Sequence, residues 1–231
     1  MAAPQPTLLV PKPRQRSKFF YLFLTQVLLI ALFPYLGKSG LPTAMLRLLS
    51  AAAFLSAVYA VSDKRAQWIV GLILAVPTGV LNVSFALWPD SQIAIPTLVS
   101  TIVFLGFTLV SLLRAVLRMD TVTSDTIYGA LSVYLLMAFL WGGAYLLVET
   151  LHPGSLSIDS SRHPNHRIDL DDFMFYSFVT LTSLGYGDMV PISAQSRSLS
   201  VLEAVSGILY LAVLVARLVG LYSAPKSELK S

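Results

Sequence analysis

Thr180-Leu181-Thr182-Ser183-Leu184-Gly185-Tyr186-Gly187-Asp188 carries two glycines one residue apart, flanked by hydroxyl and apolar side chains, at the end of a short apolar segment. Gly185 and Gly187 can take positive φ without a Cβ clash. A backbone that alternates left- and right-handed conformations turns successive carbonyls to one side, which an ordinary strand cannot do. Repeated by symmetry about an axis, such a row stacks cages of oxygen that replace the water around a bare monovalent cation. One chain supplies one row, whereas a dehydrated ion needs ligands all round, so this reading calls for a symmetric assembly.

The chain around the stretch is that of an integral membrane protein. It has 231 residues, 55% hydrophobic and only 12% charged, whereas a soluble domain carries about a quarter charged residues. Cysteine is absent, so there is no disulfide framework and no clue to redox compartment. The net charge of +4 comes with no nucleic-acid motif; the basic residues sit beside apolar spans, as topology signals do.

Six runs are long enough to cross a hydrocarbon core, which takes roughly 20 helical residues: 19–36, 41–61, 66–87, 93–117, 127–148 and 198–222. The expected fold is an all-α polytopic membrane protein with six transmembrane helices and a re-entrant helix, assembled symmetrically in the lipid bilayer. Pro77, Gly79 and Pro96 fall inside spans as candidate kinks, which membrane helices tolerate. Residues 1–18 read as a proline-rich cytosolic tail whose Lys12, Arg14, Arg16 and Lys18 fix orientation, with anionic lipid as their other reading. With the amino terminus inside, eleven of the 16 lysines and arginines face the cytosol and five the outside, so both termini are expected in the cytoplasm. Acidic residues show the reverse bias. Asp90, Glu149, Asp159, Asp169, Asp171, Asp172 and Asp188 all fall outside, where carboxylates multiplied by symmetry concentrate cations at a mouth.

Residues 150–167 read as an exposed polar loop with all three histidines, His152, His163 and His166; a metal pair at His163 and His166 rests on spacing alone. Residues 169–182 then read as a short helix. Asp169 caps it and Asp171 and Asp172 occupy the first turn, where the helix dipole favours negative charge. At about 20 Å it is too short to cross a bilayer. A helix that enters part-way must return, and non-helical backbone at that depth survives only when buried in protein or lining an aqueous cavity. Residues 182–187 are that returning backbone, with the negative end of the helix dipole aimed where a cation pauses.

Ser183-Leu184-Gly185-Tyr186-Gly187-Asp188 resembles the T-V-G-Y-G-D signature of tetrameric potassium channels. Ser183 stands where Thr is usual and keeps the hydroxyl; Leu184 stands where Val is usual and still contributes a carbonyl. The resemblance implies a passive K⁺-selective channel whose filter runs through Thr182, Ser183, Leu184, Gly185, Tyr186 and Gly187. K⁺ would be held by the carbonyls of Ser183, Leu184, Gly185 and Tyr186, with Asp188 at the outer mouth. It implies a homotetramer in the cell (inner) membrane, with K⁺ as permeant ligand, no cofactor and no enzymatic activity. Tyr186 would point away from the axis and brace against Tyr176. Val179 and Phe175 occupy positions where some relatives carry a Glu and a Trp; neither side chain hydrogen-bonds, so Asp188 is expected to be loosely held. Gly207, 22 residues beyond Gly185, has the spacing of the family's inner-helix hinge, and close helix packing is its equal alternative. Glu203 is an ionisable residue within a span, near its outer end, where it can hydrogen-bond the re-entrant helix. Arg217 is expected to snorkel from the inner end.

The resemblance is closest over residues 127–222. The expected division is a tail at 1–18, a four-helix bundle at 19–126, a pore domain at 127–223 and a tail at 224–231. A voltage sensor needs several arginines at three-residue intervals, because one charge moved yields only about 2.3 kcal/mol per 100 mV. The fourth span offers Arg114 and Arg118 alone, both at its cytosolic end. The layout therefore resembles small bacterial six-span channels without sensor arginines, and no ligand-gating domain is expected after residue 222. A weakly selective cation channel, and a non-conducting membrane sensor or scaffold with a vestigial filter, remain the alternatives.

Overall fold

The computed structural model describes residues 18–32, 41–60, 65–88, 91–119, 121–158 and 168–223. The expected tails, apart from Lys18, together with His163, His166 and the outer acids Asp90 and Asp159, lie outside the described residues. Seven helices and two short strands follow in order among the described residues: α1 Lys18–Leu32, α2 Leu41–Ala60, α3 Arg65–Leu87, α4 Ser91–Leu117, α5 Ser124–Leu151, β1 Leu156–Ile158, α6 Leu170–Leu181, β2 Met189–Pro191 and α7 Ala194–Ser223. Among the described residues, four helices are long and apolar enough to cross a membrane: α3, α4, α5 and α7. The apolar stretches of α1 and α2 are shorter, at Lys18–Leu32 and Ser50–Ala60. Both prolines lie inside unbroken helices, Pro77 in α3 and Pro96 in α4.

Helix α5 is the element on which the others meet. Thr123 starts it with a reciprocal cap: its Oγ1 accepts from Thr126 N at 3.2 Å, and Thr126 Oγ1 accepts from Thr123 N at 3.3 Å, which satisfies two otherwise orphaned N–H groups. On one side α1 and α4 pack against it, on the other α6 and α7. Gly129 lets two neighbours approach at once. A Cβ there would lie 2.9 Å from both the Phe19 ring and Val116 Cγ2. The amino end of α1 is fastened to the first turn of α5, where Asp125 Oδ1 accepts from Phe19 N at 3.1 Å. Phe19, Leu22, Phe104, Leu112, Val133, Leu136 and Leu181 form the larger apolar core; Tyr145, Leu156, Phe173, Tyr176 and Met189 form a second around α6.

The loop after α5 departs from its expected character. Helix α5 runs on to Leu151, and β1 then pairs antiparallel with β2, with Leu156 opposite Pro191 and Ile158 opposite Met189. Ser155 and Leu156 are buried, so only part of 150–167 is an exposed loop. Glu149 is engaged here as well: its Oε1 accepts from Gly154 N at 2.7 Å and its Oε2 from Leu156 N at 3.1 Å. Its carboxylate holds the turn into β1. Ser155 O in turn accepts from Ile192 N and Ser196 Oγ at 2.8 and 2.7 Å. The chain leaving α5 and the chain leaving the glycine loop are thereby held together at the start of α7.

Candidate functional site

The glycine loop hangs from α6. That helix has 12 residues, about 18 Å of rise, too short to cross a hydrocarbon core of about 30 Å. Its start follows the sequence logic: Asp169 is the N-cap residue, Asp172 Oδ2 accepts from Asp169 N at 2.6 Å, and Asp171 shares the first turn. Its end hands over directly to the loop. Thr182 caps it, with N and Oγ1 both bonded to Phe178 O at 3.1 and 2.7 Å; Ser183 N donates to Thr180 O at 3.0 Å and Leu184 N to Val179 O at 2.9 Å.

Beyond this point φ alternates in sign. It is 58° at Ser183, 61° at Gly185 and 75° at Gly187, while the residues between them stay negative. The glycines adopt the handedness their lack of Cβ permits. Ser183 adopts it against ordinary preference, because non-glycine residues seldom take φ > 0. An added Cβ at Gly185 or Gly187 would meet nothing within 4 Å, so it is backbone conformation, not crowding, that requires glycine there. Thr182, Ser183, Leu184, Gly185, Tyr186 and Gly187 are all exposed in the single chain. Behind them lies a cavity of about 320 Å³, lined among others by Tyr176, Val179, Thr180, Asp188 and Ala204.

The support residues divide in a way the sequence did not indicate. The Tyr186 ring stacks on Phe175, with centroids 6.1 Å apart and planes 3° from parallel, and not on Tyr176. Adjacent residues of a helix are turned about 100° from each other. Phe175 therefore faces outward at 47% exposure while Tyr176 is buried. The Tyr176 hydroxyl is 2.7 Å from Ser200 Oγ of α7, and its ring meets Tyr145 edge-on at 4.9 Å. Asp188 Oδ1 accepts from the N–H of Met189, its own neighbour, at 3.1 Å; Val179 and Phe175 have no polar side-chain atom to offer it.

Glu203 is fully buried. Its Oε2 accepts from Tyr145 OH of α5 at 2.6 Å and its Oε1 from Ser177 Oγ of α6. Gly207 sits one turn further along an unbroken α7, where a Cβ would lie 2.5 Å from Leu181 O and 2.9 Å from Leu181 Cδ1. This is the close-packing member of its two expected roles. Gly142 does the same from α5, where a Cβ would meet Met174 Sδ at 2.7 Å; the Trp141-Gly142-Gly143 run was the available signal for it. Arg217 does not snorkel away from the protein. Its Nη1 donates to Val116 O at 2.6 Å and its Nη2 to Met119 O at 2.7 Å, just where α4 ends and its last carbonyls run out of helical donors; Val116 O also accepts from Met119 N at 3.4 Å.

A helix too short to span, a loop of alternating handedness and two flanking helices long and apolar enough to cross a membrane are the parts of a pore loop. Residues 122–224 match the family model for ion channels. The chain is 26% identical over 195 residues to the voltage-gated potassium channel Kch of Escherichia coli (strain K12), covering 83% of this chain and 41% of that protein. Over 79 residues it is 30% identical to potassium voltage-gated channel subfamily A member 5 of Rattus norvegicus, covering 34% of this chain and 12% of that one. Residues 122–224 thus resemble an ion channel domain, and both relatives to which the chain is similar are potassium channels. The chain spans less than half the length of either relative. No solved structure matches it.

Proposed function

We propose that this chain forms a homotetrameric, K⁺-selective channel of the small bacterial six-span type, conducting passively through a filter of main-chain oxygens. The filter is Thr182, Ser183, Leu184, Gly185, Tyr186 and Gly187, with K⁺ held by the carbonyls of Ser183, Leu184, Gly185 and Tyr186. Asp188 stands at the outer mouth. The tetramer lies in the inner membrane with α1 and α2 completing six spans, both termini in the cytoplasm and residues 127–223 as the pore domain. The channel is no enzyme and needs no cofactor. The observation that carries this reading is the alternation of φ at Ser183, Gly185 and Gly187 immediately after a helix too short to span. A strand would send alternate carbonyls to opposite sides and could not line an axis. Exposure of the whole loop in one chain fits a surface completed by three further copies.

Purified protein in liposomes with a K⁺ gradient tests the proposal: K⁺ flux with a reversal potential near the K⁺ value is expected. Gly185→Ala should abolish it, because left-handed φ costs a residue with a Cβ about 1–2 kcal/mol in every copy. Flux surviving unchanged in that variant would remove the carbonyl row from the mechanism. A second reading, a weakly selective cation channel, is favoured by Asp188 being bonded to its own neighbour alone; a reversal potential midway between K⁺ and Na⁺ would select it. Absence of any flux would select the scaffold with a vestigial filter.

A further inference from the structure

Conduction through the loop gives no role to a carboxyl group buried where three helices meet. Glu203 has no exposed surface, and its partners are hydroxyls: Tyr145 from α5 and Ser177 from α6. Burying a carboxyl at such a depth is unfavourable unless its oxygens are bonded. Here both are, each to a different helix. The cluster extends further. Ser177 Oγ is also 2.8 Å from Ala138 O of α5, and Tyr176 OH, Ser200 Oγ and Ser196 O form a chain at 2.7 and 2.8 Å along α7. Helix α6 thus reaches its neighbours with two hydroxyls, those of Tyr176 and Ser177, and both end on the same stretch of α7.

We propose that Glu203 is the positioning residue of the filter: by bonding Ser177 and Tyr145 it fixes the height and tilt of α6, and so the carbonyl row suspended from it. The inference rests on the channel reading above. The path is short. Ser177 lies two residues before Val179, whose carbonyl receives Leu184 N at 2.9 Å, and three before Thr180, whose carbonyl receives Ser183 N at 3.0 Å. The side chains of Val179 and Phe175 offer no hydrogen bond; α6 is tied to α5 by Tyr134 OH on Leu181 O at 3.2 Å and by Ser177 on Ala138 O, and the Ser177–Glu203 contact is the tie from that turn to α7.

Proton counting predicts which variant works. The Ser177 hydroxyl has one proton and two acceptors within reach, Ala138 O and Glu203 Oε1. A Gln at position 203 can accept from Tyr145 through its carbonyl and donate to Ser177 through its amide, which leaves the serine proton for Ala138 O. A Leu fills similar volume but accepts from neither hydroxyl, leaving Ser177 tied to Ala138 O on α5 and Tyr145 to Ser200 Oγ at 3.4 Å, with α6 no longer bonded to α7 through Ser177.

The experiment compares full-length parent, Glu203→Gln, Glu203→Leu and Ser177→Ala in liposomes, reading current decay under sustained K⁺ conduction, the K⁺/Na⁺ reversal potential and oligomer size. Glu203→Gln should match the parent. Glu203→Leu should decay about tenfold faster, the factor expected for losing one or two net hydrogen bonds, and discriminate less against Na⁺ while its assembly stays intact. Should Glu203→Leu fail to assemble, Ser177→Ala, which removes one oxygen, is expected to give the same fast decay. Parental decay in Glu203→Leu or in Ser177→Ala, or a Glu203→Gln as impaired as the leucine variant, overturns the inference while leaving the channel reading in place. A parent that passes no ion overturns both.

Discussion

The two halves of α7 are fastened to the rest of the chain by different means. Next to the glycine loop the contacts are short, buried and numerous in kind. Ser196 Oγ bonds Ser155 O at 2.7 Å, Ser200 meets Tyr176, Glu203 joins two other helices, and Gly207 lies against the Leu181 carbonyl. Beyond Gly207 the ties are two long side chains. Tyr210 OH donates to Ala130 O at 2.6 Å, and Arg217 reaches across to Val116 O and Met119 O at the end of α4. An added Cβ at Gly220 would meet nothing within 4 Å, against 2.5 Å from a main-chain oxygen at Gly207. A contact made by small residues and backbone tolerates little displacement, whereas long side chains can follow a moving partner. On the proposed channel reading, ion discrimination would belong to the first half and opening to the second, with Arg217 tying the second half to α4.

Two glycines break that comparison most directly. Gly207→Ala places a Cβ 2.5 Å from a main-chain oxygen, so α6 or α7 must shift. Overpacking of this kind costs about 1–3 kcal/mol per chain, and the expected outcome is lost selective flux with a lower Tm. Gly220→Ala meets open space and gains about 1 kcal/mol of helix propensity; thermal unfolding should leave it at or above the parent, with parental selectivity. Equal effects of the two substitutions would erase the distinction between the halves. Arg217→Gln comes next. It removes a charge-assisted pair of bonds, each worth about 1.5–3 kcal/mol, so open probability in single-channel records should move by about tenfold while the reversal potential stays fixed. A shifted reversal potential would mean that the far half also shapes the filter.

How much of this was legible in the sequence depended on whether the cause was local. Gly185 and Gly187 announce their own conformation, and α6 announces its start through Asp169, Asp171 and Asp172, because caps and handedness are properties of adjacent residues. The left-handed φ of Ser183 had no such signal, since serine does not favour it and only the preceding turn enforces it. Glu203 stood out as an ionisable residue within a span, but its partners lie 58 and 26 residues away at Tyr145 and Ser177, and nothing in the composition of α5 or α6 selects them. The exchange of Tyr176 for Phe175 as the ring against Tyr186 is a question of helix rotation. A single-residue error in facing inverts it. Strands β1 and β2 are three residues each, too short for any alternation to register, which is why the turn held by Glu149 read as open loop.

Phe175→Trp carries the comparison to the filter's rim. The Trp keeps an aromatic face for Tyr186 and adds an N–H within the neighbourhood of the loosely bonded Asp188. Current decay is expected to slow by about twofold to threefold, somewhat less than one net hydrogen bond would give, with parental decay as the outcome that counts against a role for the stack. The smallest effect belongs to Tyr210→Phe. The ring remains stacked beside Tyr134, with centroids 6.1 Å apart and planes 24° from parallel, so packing is retained and one hydroxyl bond to Ala130 O is lost. The net loss is about 1 kcal/mol, because the Ala130 carbonyl sits inside α5 and keeps its own helical partner. Thermal unfolding should register a fall of a few degrees (about the amount expected for that energy in a chain of this size). Selectivity and current decay should remain parental, since the bond lies on the far side of Gly207 from the glycine loop. Tyr145→Phe, which deletes a chemically identical hydroxyl on the near side, is the matched control. If both variants changed ion discrimination alike, the position of a bond along α7 would carry no information about what it does.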